Sequence, residues 1–154
     1  MRRKDRECTD PSFFDDLLRQ ADVMTVAFQT EGFPYVIPVN FVAQNGSLYI
    51  HCAREGRKLE CLSKKSGVGF SVHELIDIDR EKATTLYRSI CGEGTASLVE
   101  DREEKQTALA ALARKYQSRC TLPVPDGMLK ATAVIRIDIT AMTGKQHLPE
   151  TQAG

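Results

Sequence analysis

The chain has no tryptophan, no excess of either charge and no long apolar run, and each absence narrows what it can be. Lysine and arginine together number 21, as do aspartate and glutamate, so the formal net charge is zero. A nucleic-acid binder shows its electrostatic footprint as a basic excess, and here only a local basic patch stays open. No apolar run nears the roughly 20 residues that span a bilayer, so no membrane segment is expected. The opening "MRRKDRECTD" has basic residues with no apolar stretch behind them and does not read as a signal peptide. The five cysteines, Cys8, Cys52, Cys61, Cys91 and Cys120, are odd in number, widely spaced and contain no C-x-x-C. That spacing predicts neither a disulfide framework nor a structural zinc site. Reduced thiols acting as small apolar residues in a cytoplasmic protein are the expectation. The Gly-Lys phosphate loop and the G-x-G-x-x-G dinucleotide fingerprint are both missing. His73 and His147 have no metal-ligand spacing with His51 or with each other, so no metal site is predicted. Without repeats, low-complexity tracts or linkers, residues 1–154 read as a single domain.

What is present is mostly strand. Asp10 as N-cap and Pro11 at the first helical position predict a short helix from Pro11 to Asp22, with Phe13, Phe14, Leu17, Leu18 and Ala21 on one face. Val23 to Thr30 is β-rich. Phe33 to Gln44 reads as a second strand, with Phe33, Tyr35, Ile37, Val39 and Phe41 on one face and Pro34 and Pro38 on the other. Prolines cannot donate to a ladder, so an edge or a bulge is expected there. Asn45-Gly46 predicts a tight hairpin to a strand at Ser47 to Ala53, completing an antiparallel meander. A helix follows from Glu55 to about Lys65, packed through Leu59 and Leu62 and capped at Gly67. Strands at Val68 to Ile78 and Leu86 to Val99 come next. Gly92 and Gly94 in the latter signal a bulge or a close backbone approach. Asp101 with Glu104 resembles a capping box for a helix to about Arg119 that buries Leu109, Leu112 and Tyr116. The last strand, "KATAVIRIDITAMTG", alternates Ile135, Ile137 and Ile139 inward with Arg136, Asp138 and Thr140 outward. Six strands with helices between and around them predict an α+β, mainly β, barrel, because they do not alternate as βαβ units would.

The stretch "YIHCAREGRKLECL" carries the chemistry. It loads Arg54, Arg57 and Lys58 around a helix start, where the dipole already disfavours positive charge. That placement makes sense if the helix start holds an anion such as phosphate. Gly56 permits close approach of the backbone, Arg57 offers a bidentate fork and Lys58 a point charge. A solvated turn balanced by Glu55 and Glu60 would look the same in sequence. His51, on the strand just before, lies within a few residues of that helix start and its imidazole can both donate and accept a hydrogen bond, although a lone histidine is more often structural.

Taken in order, "GFPYVIPVNFV", the Asn-Gly hairpin, "LYIHCAREGRKLECL" and "YRSICGEGTASLVED" resemble the pyridoxamine-phosphate-oxidase-like split-barrel flavoproteins. The H-x-A-x-E-G-R-K segment is the most specific piece, and it points to the nitroimidazole-resistance (Nim-type) subgroup. The resemblance implies a six-stranded antiparallel split β-barrel with flanking helices, an FMN-binding split barrel that forms a homodimer with FMN at the subunit interface. It implies that Arg57 and Lys58 grip the FMN phosphate and that Pro38, Val39 and Asn40 run along the ring edge. It places His51, Cys52 and Ala53 beside the cofactor, adds Arg88 and Ser89 as further candidates, and nominates His51 as catalytic. The chain lacks the C-terminal tryptophan and arginine segment that recognises substrate in the true oxidases, so vitamin B6 oxidation is not expected. The function implied is an FMN-dependent oxidoreductase, flavin-reductase-like or nitroreductase-like, passing electrons to a small-molecule acceptor. A non-catalytic FMN-binding or storage protein and a haem-binding split-barrel relative are the alternatives.

Overall fold

The computed structural model describes residues 3–117 and 122–149. Its elements in chain order are β1 (Glu7–Cys8), α1 (Pro11–Gln20), β2 (Met24–Phe28), β3 (Tyr35–Val39), β4 (Val42–Gln44) and β5 (Ser47–Ala53). They are followed by α2 (Arg57–Lys64), β6 (Gly67–Asp79), β7 (Thr84–Leu98), α3 (Arg102–Lys115), α4 (Asp126–Ala131) and β8 (Thr132–His147). The sheet runs β3-β2-β6-β7-β8-β5-β4, every pairing is antiparallel, and β1 adds to β8.

This order dictates a barrel. The strands β3 and β4 are opposite edges of the sheet, yet only Asn40 and Phe41 separate them in the chain. Seven flat strands would put those edges about 29 Å apart, whereas three residue steps of extended chain reach only about 10 Å. The sheet must therefore curl until its edges nearly meet, leaving a split between two unpaired edges. Inside it pack Met24, Val26 and Phe28 of β2, Phe70 and Val72 of β6, and Ile135 and Ile137 of β8. Helix α1 closes one opening with Phe13, Leu17 and Leu18. Its start is capped by Asp10, whose carboxylate accepts from the Ser12 N–H at 2.9 Å. A second, smaller core lies on the outer face of the sheet. There Ala108, Leu109 and Leu112 of α3 and Leu129 of α4 cover Tyr49 and Val134.

The α+β split barrel expected from the resemblance is the observed fold, with eight strands where six were predicted. The predicted strand from Phe33 to Gln44 breaks at Asn40–Phe41, because that is where the chain crosses from one edge to the other. The expected three-strand meander is accordingly two hairpins on opposite edges. Tyr35, Ile37 and Val39 do face inward with Pro38 outward on an edge strand, but Phe33 lies before β3 and is 92% exposed. The strand β1 and the helix α4 were not foreseen, and Gly67 opens β6 instead of capping α2, which ends at an extended Lys65. The hairpin turn has Asn45 and Gly46 both at positive φ, 53° and 78°, as the tight two-residue turn needs. A register shift occurs at Glu93/Gly94, and a methyl group on Gly94 would meet the Asp138 carbonyl oxygen. Asp101 caps α3 by accepting from the Glu104 N–H at 2.7 Å. The Glu104 carboxylate does not return the bond to the cap and instead accepts from Tyr49 Oη and Arg136. Of the cysteines, Cys61 is buried, Cys8 and Cys52 are half-buried and Cys91 is exposed, so Cys91 departs from the core role. Cys120 and the predicted helix end at Arg119 lie outside the described residues.

Candidate functional site

The strand β5 alternates in the usual way, sending Leu48 and Ile50 into the barrel and His51 and Ala53 outward. Its register on β8 sets His51 opposite Val134 and Ala53 opposite Thr132. His51 is exposed, and among the described residues it has no hydrogen-bond partner. It stands at the lip of a cleft of about 420 Å³. Asn40 of the β3–β4 crossover, His51 of β5 and Thr132 of β8 line that cleft, with Leu112 of α3, Tyr116 just past its end and Met128 of α4. The wall is apolar because α3 turns the same face to the cleft that covers the outer core.

Tyr116 fixes one side of the cleft. Its hydroxyl accepts from the Phe41 N–H at 2.9 Å and donates to the Asp22 carbonyl oxygen at 2.7 Å. It thereby ties the C-terminal end of α3 to the β3–β4 crossover, next to Asn40. Burial pushes the Tyr116 phenol up from its ordinary value. In the sequence Tyr116 appeared only as an apolar helix-face residue. The partners it binds are 75 and 94 positions away, so no local pattern could reveal the clamp.

The helix start after β5 differs from the other two long helices. Helices α1 and α3 each open on an aspartate that accepts from the first turn, whereas α2 opens on Gly56 with no side-chain cap. Gly56 sits at φ 121°, a backbone that side chains disfavour, with open space where a Cβ would be. The first-turn amides of α2 therefore lack the acceptor that an aspartate would supply. Arg57 lies over the Tyr35 ring, 4.6 Å from its centroid, which links α2 to the edge strand β3. Lys58 lies close enough to Cys52 to offset part of the rise that burial imposes on that thiol. Among the described residues neither Arg57 nor Lys58 has a carboxylate partner, so Glu55 and Glu60 do not neutralise them. Arg54 goes elsewhere, donating from Nη1 to the Lys130 carbonyl at 3.1 Å.

Of the predicted site residues, Asn40 and His51 line one cleft together. Pro38 and Val39 lie on β3, which has no strand on its outer side. Cys52 points into the barrel and packs against the core, and Ala53 is exposed at the end of β5. Arg88 and Ser89 are not brought to this cleft. Both are on β7, which β8 separates from β5. Arg88 bonds Glu74 at 2.6 Å and Gln20 at 2.8 Å, and Ser89 is half-buried opposite His73. Among the described residues no group of His, Cys, Asp and Glu could hold a metal ion. No described helix is long and apolar enough to cross a membrane.

The family model described as pyridoxamine 5'-phosphate oxidase matches residues 10–146. Among solved structures, the chain is similar to a candidate 5-nitroimidazole antibiotic resistance protein from Bacteroides thetaiotaomicron. That match has a TM-score of 0.80 and 28% identity over 90% of this chain and 85% of that one. A flavocytochrome from Azotobacter vinelandii shares the fold at TM-score 0.78 and 22% identity, over 96% of this chain and 72% of its own. The FAD and heme binding protein of Mycobacterium smegmatis does so at 0.78 and 23%, over 94% and 76%. No protein among the curated sequences matches the chain.

Proposed function

The chain belongs to the pyridoxamine 5'-phosphate oxidase family, and on that premise we propose that it is an FMN-dependent oxidoreductase acting on a small electron acceptor. The observation that carries this reading is the uncapped start of α2, with Arg57 and Lys58 beside it and, among the described residues, without carboxylate partners. An uncapped helix N-terminus flanked by two cations that no carboxylate neutralises suits a terminal phosphate dianion. The edge strand β3 adds a second fit. With no neighbouring strand, its outer backbone groups are available to the polar rim of a flat ring at Pro38, Val39 and Asn40. FMN, when bound, supplies reversible two-electron chemistry, and the protein supplies binding, orientation and protons.

The roles of this chain's residues follow. Arg57 and Lys58 bind the phosphate, and Gly56 lets the backbone approach it. The backbone at Cys52 and Ala53 supports the cofactor from β5, while the α3 and α4 wall keeps water from the cleft. His51, exposed at the lip with its ring nitrogens free, takes or gives a proton at the imidazole. Arg88 and Ser89 reach a cofactor only if a second copy of the chain brings them there. Nitroaromatic compounds are the acceptor class we favour, on the likeness to the Bacteroides protein. The free thiols among the described cysteines support action in the reducing cytoplasm.

The test is the visible spectrum of the purified protein, followed by identification of the flavin released on denaturation. FMN is the expected product. A colourless protein that takes up no added FMN would overturn the reading. Turnover with a reduced nicotinamide donor separates the enzyme from a storage protein, which would bind without turning over. A haem reading has one observation in its favour, a lone imidazole at an apolar cleft. A Soret band on haem titration, lost in His51→Ala, would establish it.

A further inference from the structure

Arg54 is the cation of the β5–α2 stretch that the helix start does not use. With Arg102, Lys105 and Lys130 it lines a hollow of about 400 Å³ in which, among the described residues, Glu100 is the one lining carboxylate. Arg102 is paired with Asp126, which leaves Arg54, Lys105 and Lys130 facing a single negative charge. Among the described residues neither lysine has an ion-pair partner. The chain as a whole is neutral, so this excess is not inherited from its composition.

The hollow adjoins the His51 cleft. Thr132 lines both, and it is opposite Ala53, two residues along β5 from His51 and so about 7 Å away along the strand. We propose that this hollow binds the phosphate groups of a phosphorylated nicotinamide dinucleotide, the electron donor, whose nicotinamide reaches the cleft past Thr132. The proposal rests on the flavin reading above, which it supplies with a donor. In such a dinucleotide the pyrophosphate is one ribose from the nicotinamide, and the 2′-phosphate adds a dianion that two unpaired lysines suit.

Titration calorimetry of the flavin-loaded protein with adenosine 2′,5′-bisphosphate reads the hollow directly, because this probe carries phosphates and no nicotinamide. Saturable binding is expected, weakening as salt rises. It should fall about tenfold or more in Lys105→Ala/Lys130→Ala, with flavin occupancy unchanged. Lys130→Glu, at an exposed position of α4, provides a second variant with the same expected loss. Absence of binding by the wild type, or equal affinity in both variants, would overturn the proposal. Failure of the flavin reading shows separately, as a protein without flavin absorbance. Bisphosphate binding by such a protein would remove the ligand's assignment as electron donor.

Discussion

His51 has no hydrogen-bond partner among the described residues and is exposed on β5, so the fold has little stake in its identity. Surface substitutions of this kind usually change stability by less than about 0.5 kcal/mol. The variant His51→Asn is therefore expected to fold and hold FMN normally. If the imidazole moves a proton, flavin reduction or oxidation should slow by roughly 10²- to 10⁴-fold in stopped-flow measurements. Rates equal to the wild type would leave His51 without a catalytic role. Lys115 shows the opposite balance, since the fold holds it firmly. Its Nζ donates to the Leu18 carbonyl at 3.1 Å and lies 3.8 Å from the centroid of the Phe41 ring. Burial lowers its pKa from 10.5 to about 8, opposed in part by the Asp22 charge. Below pH 8 the ammonium is charged in both the folded and unfolded states, and its desolvation cost is fully present. As pH rises from about 8 towards 10.5 the folded state loses the proton first, so this cost is relieved and stability rises. Urea unfolding of wild type and Lys115→Met at pH 7.5 and pH 9.5 should show the wild type gaining on the variant by about 1 kcal/mol, after discounting for partial solvent screening. A pH-independent difference would contradict the lowered pKa.

At the scale of elements, the three long helices divide by how they begin. Aspartate caps at α1 and α3 satisfy first-turn amides within the protein, and α2 has no such group. If a phosphate takes the place of the cap, the Arg57→Ala/Lys58→Ala variant should weaken FMN far more than riboflavin, which lacks the phosphate. Two sheltered charged contacts at about 1.5–3 kcal/mol each correspond to a loss of 100-fold or more. Fluorescence titrations with both ligands measure it, and equal weakening of the two would sink the phosphate assignment. Capping and turn chemistry are local, which is why Asp10, Asn45-Gly46 and Asp101 could be read directly from the sequence and recur in the structure. The uncapped start at Gly56 was not read, because the helix was expected from Glu55 and begins two residues later at Arg57. Short elements were not legible. With two residues, β1 has no period to detect and exists by pairing with β8. Helix α4 has six residues and is held through Leu129 in the outer core, a tertiary contact that propensity does not record.

The whole molecule adds constraints that no single stretch contains. Two residues between β3 and β4 force the sheet to close, but only once the order of the other strands is known. Likewise the sequence marked Asn40 and His51 separately, and the cleft they share depends on α3 being tied down by Tyr116. Arg88 shows the limit of the motif, since its strand is fixed by pairing while its guanidinium is committed to Glu74 and Gln20. Strand β6 carries this argument beyond the protomer. Leu75, Ile76 and Ile78 near the end of β6 are exposed. Apolar side chains gathered along one stretch of strand cost stability unless something covers them. A twofold partner would cover them with the same surface used twice. On the flavin reading proposed above, the same partner would close the site at β3, β5 and α2. A homodimer with two equivalent FMN sites is therefore expected from light scattering and flavin-to-protein stoichiometry. Leu75→Glu/Ile78→Glu should shift it towards monomer and weaken FMN without touching Arg57, Lys58 or His51. A wild-type monomer that binds FMN tightly would show that one chain completes the site alone.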